Sequence, residues 1–69
     1  MSNSNDTMVS QLLTLSRSTI PNQRIAAIEA LGNVGGEKAV DRLLTLSRST
    51  IPNQRIAAIE ALSKAKNFK

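Results

Sequence analysis

Residues 12–31 read LLTLSRSTIPNQRIAAIEAL, and residues 43–62 read the same twenty letters in the same order. The offset between the two stretches is 31 residues. A period of that length marks a protein built by repeating one supersecondary unit. The likeness continues upstream. DTMVSQ at 6–11 aligns with EKAVDR at 37–42, keeping the valine and the leading acid, for 21 identities in 26 aligned positions. Repeat 1 therefore covers about 6–36 and repeat 2 about 37–67, within a single domain spanning 1–69.

Each copy reads as two helices. Helix A is predicted over Thr7–Arg17 and Lys38–Arg48. At helical spacing Met8, Val9, Leu12, Leu13 and Leu15 fall within about 160° of one another, with Ser10, Gln11, Thr14 and Arg17 opposite. That is a helix covering a core with one side. Ser18-Thr-Ile-Pro-Asn22 then breaks it, since proline is excluded from a helix interior but suits a first turn. Thr19 is the preferred N-cap of the next helix, with Ser18 and Asn22 as alternatives. Helix B is predicted over Pro21–Leu31, and again from Pro52 to the mid-60s. Ile25, Ile28 and Leu31 make a bulky stripe, while Ala26, Ala27 and Ala30 make a small-residue surface on the other side. A helix apolar nearly all round needs neighbours on several sides. Gly32 is the expected C′ residue ending helix B, and Gly35-Gly36 turns the chain towards Glu37, whose charge suits a helix start. The fold class is all-α: four helices in two stacked αα-hairpins.

Composition narrows the chemistry. Among 69 residues there is no cysteine and no histidine, so thiolate metal sites, cysteine nucleophiles and histidine general bases are excluded. No catalytic constellation is present and no cofactor or metal is expected. Glu37 and Asp41 share a helix face, which reads as two solvated charges rather than an acid pair. The single aromatic residue is Phe68, so the core must be leucine, isoleucine, valine and alanine. Net charge is +4 with a pI near 10.4. The basic residues are scattered and no aromatics interleave them, so nucleic acid is the lesser alternative as a partner. No apolar run approaches the roughly 20 residues that span a bilayer, and the first residues lack a signal-peptide pattern, so a cytoplasmic protein without a membrane partner is expected.

The residues resemble the short HEAT-like repeats of phycobilisome-lyase-type proteins and of artificial scaffolds built from their consensus. The resemblance rests on Arg24, Ala26, Ala27, Ala30-Leu31-Gly32, Val34-Gly35, Ala39-Val40 and Leu43, and spans about residues 6–62. It implies a right-handed α-solenoid, with A helices on the convex face and B helices on the concave face that holds a partner. Three departures stand out. Gln23 replaces a usual valine, Ile25 and Ile28 replace polar or small residues, and the second copy ends in Ser63-Lys-Ala-Lys-Asn-Phe-Lys69, which reads as a polar, cationic cap.

The candidate binding residues are Ile25, Ile28, Ile56 and Ile59, which two B helices side by side would join into one patch. The competing reading packs them against the A helices. Arg24 and Arg55, with Gln23 and Gln54, are either a polar rim for an acidic partner or phosphates or, as the resemblance implies and as favoured, structural residues that bridge repeats or pair with an acid such as Glu29 or Asp41. Ser16-Arg17-Ser18-Thr19 and its copy at 47–50 read as helix ends rather than phosphorylation sites.

Solenoid units rarely bury their apolar faces in pairs, so leftover surface is expected to meet a partner. The simplest partner is the chain itself, as a two-fold homodimer sharing an isoleucine core. Another protein is the second possibility, and a purely structural scaffold with no ligand is the alternative. Duplication carries a hazard, since the end of unit 2 could accept unit 1 of another chain without closure. Met8-x-Ser10-Gln11 for Ala39-x-Asp41-Arg42, and SKAKN for GNVGG, read as protection against it. Identity at solvent-facing positions such as Thr14 and Thr45 points to a recent duplication or a deliberate one.

Overall fold

A computed structural model describes residues 4–65 of the chain. Four helices follow in order: α1 Ser4–Leu15, α2 Pro21–Val34, α3 Glu37–Leu46 and α4 Pro52–Lys64. No strand occurs among the described residues. The expected cap beyond Ala65, including Phe68, lies outside them.

The A helices end two residues earlier than the apolar pattern suggests. Arg17 N–H donates to the Thr14 carbonyl at 3.0 Å and Ser18 N–H to that of Leu15 at 2.9 Å, and the second copy repeats both bonds at 3.1 and 2.9 Å. These three-residue steps tighten the last turn and close the helix.

The B helices start without a side-chain cap. Ile20 and Ile51 are the N-cap residues, with φ near −90° and ψ 113°. Each is held extended because the following proline clashes with a helical predecessor. Proline at the first helical position also removes one of the donors a cap would satisfy. Thr19 and Asn22 are therefore not the caps. Ser18 instead accepts the Ile20 N–H at 3.0 Å, and Ser49 accepts that of Ile51 at 2.9 Å, holding each turn from inside.

The main departure concerns Gly32. Helix α2 runs through it to Val34, and the chain leaves the helix at Gly35, φ 70°, whose N–H donates to the Leu31 carbonyl at 3.0 Å. Gly36, φ 86°, completes the turn. Gly32 is instead the point where α2 lies on α4. A Cβ built there would stand 2.7 Å from both Cβ and O of Ala61 and 2.8 Å from its Cα. Its lack of a side chain serves helix approach rather than helix termination.

The hairpins α1–α2 and α3–α4 stack with α2 against α4 as the closest pairing and α1 against α3 as a looser one. One core lies at this junction. Ile28, Leu31, Ala39, Leu43, Leu46, Ala57, Ala58 and Ala61 are buried there, with Leu12, Leu13, Ile25 and Leu62 packed against them. Bulky side chains from repeat 1 fill the space left by alanines of repeat 2.

Candidate functional site

Identical residues end in different surroundings because each copy has a neighbour on one side only. Ile28 is 0% exposed, and its counterpart Ile59 is 52% exposed. Ile25 is half-buried against the core, and Ile56 is 51% exposed. Leu13 packs on the core, while Leu44 is 45% exposed. The relation reverses on the other side of the repeat: Leu46 is buried and Leu15 is exposed. A repeat thus has a bulky face, carrying isoleucine, and a flatter face, carrying alanine. The junction joins the bulky face of repeat 1 to the flat face of repeat 2.

This arrangement divides the four isoleucines expected to form one patch. Ile25 and Ile28 belong to the junction, and Ile28 has no surface left to offer. Ile56 and Ile59 lie on the outward side of α4. One open apolar surface is therefore the end of repeat 2, with Leu44 of α3 as a member that the sequence reading missed, while Met8, Leu15 and Ile20 of repeat 1 and Ile51 before α4 are exposed as well. The sign of Leu44 in the sequence was its alignment with Leu13, but nothing local separates an inward leucine from an outward one.

The polar candidates are structural in their contacts. Arg24 and Arg55 are half-buried. Their Nη1 atoms donate to the carbonyls of Ser18 at 2.9 Å and Ser49 at 3.1 Å. Each arginine straps helix B to the turn that precedes it. The partner is a backbone carbonyl rather than Glu29 or Asp41. Arg24 Nε is buried with no hydrogen-bond partner, so burial of this guanidinium is not fully compensated. Gln23 is exposed and Gln54 half-buried.

A polar contact that sequence reading missed joins the repeats. Ser16 is 1% exposed. Its hydroxyl donates to the Leu13 carbonyl at 2.7 Å and accepts from Arg42 Nε at 2.9 Å. Burial, and then the nearby charge of Arg17, hold the Arg42 guanidinium below its ordinary pKa. The available signal was that Arg42 is one of the few positions where the copies differ, being Gln11 in the first. Burial of Ser16 and engagement of Ser18 with the Ile20 amide also fit the helix-end reading of Ser16–Thr19.

An open cleft of about 400 Å³ lies between the start of α1 and the Val34–Gly36 turn, lined by Asp6, Glu37 and Lys38 among others. Among the described residues no group of acids is placed to hold a metal ion. No helix of the described residues is long and apolar enough to cross a membrane.

The family model for HEAT repeats matches residues 4–67. It describes HEAT repeats in general and does not single out the phycobilisome-lyase-type subgroup. No curated protein and no solved structure matches the chain. With two stacked helical hairpins and a match over nearly its whole length, the chain belongs to the HEAT-repeat family.

Proposed function

We propose that this chain is a protein–protein interaction module that binds through the helix-B side of its second repeat, and that it associates with itself. Ile56 and Ile59, with Leu44, supply the contact, and Gln54 and Arg55 lie at its edge. Ile25, Ile28, Gln23 and Arg24 make the equivalent surface of repeat 1, which is already engaged within the chain. HEAT repeats are generally scaffolds for protein interaction, and the absence of histidine and cysteine fits a role without catalysis.

One observation carries the reading. Ile59 is 52% exposed where the identical Ile28 is sealed completely. Repeat 1 shows what this face does when it meets a fitting surface, and repeat 2 presents it uncovered. Contiguous exposed apolar surface marks interaction sites more often than chance.

The test compares the wild-type chain with Ile59→Asp by circular dichroism, sedimentation and pull-down. Both should be equally helical. The wild type should associate, with itself or with a captured protein, and the variant should do neither. A folded Ile59→Asp chain that retains every association of the wild type overturns the proposal.

A further inference from the structure

The two ends of the molecule are the two halves of its own internal junction. At that junction Ile28 and Leu31 of repeat 1 are buried in one cluster with Ala57, Ala61, Leu43 and Leu46 of repeat 2. Ile59 and Leu62, the counterparts of the first pair, stand at the outer end of repeat 2, one half exposed and the other half-buried. Ala26, Ala30, Leu12 and Leu15, the counterparts of the second set, stand at the outer end of repeat 1, with Ala26 and Leu15 exposed. A shallow groove of about 490 Å³ runs over α1 there, lined by Ser10, Gln11, Thr14 and Leu15. Both mating surfaces are thus present and open on one chain.

We propose that a second copy of this chain docks head-to-tail on the α3–α4 end with its own α1–α2 end, in the register of the internal junction, and that Ser63 keeps this association weak. The proposal rests on the reading of the α3–α4 end as a protein-binding surface, and names its occupant and geometry.

Three of the positions at which the copies differ bear on this docking. Gln11 replaces Arg42, opposite Ser47 in place of Ser16. Ser47 donates to the Leu44 carbonyl at 2.7 Å, as Ser16 does to Leu13, and its oxygen keeps the lone pairs that a glutamine amide can engage. Met8 replaces the fully buried Ala39, and its unbranched side chain adapts to irregular space. The third difference is steric. Ser63 stands in the place of Gly32 and faces Ala30 of the next copy in the place of Ala61. The internal helices come so close that even a Cβ at position 32 would be 2.7 Å from Ala61 Cβ and O. Ser63 carries both a Cβ and an Oγ. It holds α4 away from the neighbouring α2, so the apolar contacts around it form at a distance where dispersion is weaker.

The contact is heterologous. Each docking event leaves one free end of each kind, so growth does not close on itself. An obstacle at the centre of the helix crossing therefore limits open-ended growth while leaving both apolar faces available.

Sedimentation of the full 69-residue chain tests this. The wild type should show reversible association that rises with concentration, and Ser63→Gly should reach the same average mass at a concentration at least about tenfold lower. In the Ser63→Gly background, Ile59→Asp blocks one end and Ala26→Glu the other. Each should be monomeric alone, folded by circular dichroism, and the two mixed should form a 1:1 heterodimer. Self-association of the Ala26→Glu chain alone would show two α3–α4 ends pairing around a two-fold axis. That overturns the head-to-tail geometry and leaves the binding surface standing. Equal association of wild type and Ser63→Gly overturns the role of Ser63. Monomers throughout overturn self-docking. The interaction reading then stands or falls separately on whether Ile59→Asp loses a captured protein.

Discussion

Replacing Gly32 with alanine separates two readings of that residue by the sign of its effect. In a helix interior with free space around it, alanine exceeds glycine by about 1 kcal/mol, so the substitution would stabilise. At the crossing of α2 and α4 the new methyl would meet Ala61 at 2.7–2.8 Å. Carbon atoms settle at about 3.5–4.0 Å, so the helices must separate by up to about 1 Å. Two of the three contacts are with the backbone of Ala61, which cannot rotate away as a side chain would. Overpacking costs about 1–3 kcal/mol, and contact with unyielding backbone puts this case in the upper part of that range, at about 2–3 kcal/mol, which exceeds the propensity gain. The expected net loss is about 1–2 kcal/mol, or roughly 5–15 °C in Tm for a domain of this size. Urea and thermal unfolding followed by helical circular dichroism measure it directly. Ser63→Ala is the matched control, since position 63 is exposed, and it should gain a few tenths of a kcal/mol. A Gly32→Ala chain as stable as the wild type, or more so, would refute the close-crossing argument.

The remaining predictions use the same asymmetry between copies. Ile28→Ala should cost about 3 kcal/mol in urea unfolding, because it opens a cavity in the sealed junction. Ile59→Ala should cost under about 1 kcal/mol at concentrations where the chain is monomeric, because half of that side chain is already in water. Ser16→Ala removes the acceptor of Arg42 Nε and should destabilise by about 1–2 kcal/mol. Adding Arg42→Met to it should recover much of that loss, and strict additivity of the two changes in a double-mutant cycle would show that the bond does not couple the repeats. Arg55→Ala should cost about 1 kcal/mol through the lost bond to the Ser49 carbonyl and, from the edge of the contact, should weaken association far less than Ile59→Asp does. An effect on association alone would mean that Arg55 contacts the partner.

Much of the architecture was legible in the residues. The twenty-letter duplication announced two equal units, proline marked the start of each B helix, and Gly35-Gly36 marked the turn between repeats. These are local signals, carried by backbone constraints that act within a few residues. Local reading failed where the deciding neighbour was distant in sequence. Gly32 follows Leu31 as a C′ glycine would, and only the position of α4 reveals that Ala61 requires the missing side chain. Glu29 stands five residues after Arg24 in the sequence, yet the turn carbonyl of Ser18 is the partner of this arginine.

By itself, then, the sequence determined the helices, their pairing into hairpins and the equality of the two repeats, because helix formation and turn chemistry are settled by near neighbours. It could not assign different fates to identical letters. Ile28 and Ile59 share the sixteen residues before them and the three after, and the same propensities. Only the stacking of one hairpin on the other buries the first and leaves the second half exposed. Burial depends on which surface lies opposite, and that is a property of the assembled fold. The candidate binding site was therefore written twice in the sequence and selected once by the tertiary structure.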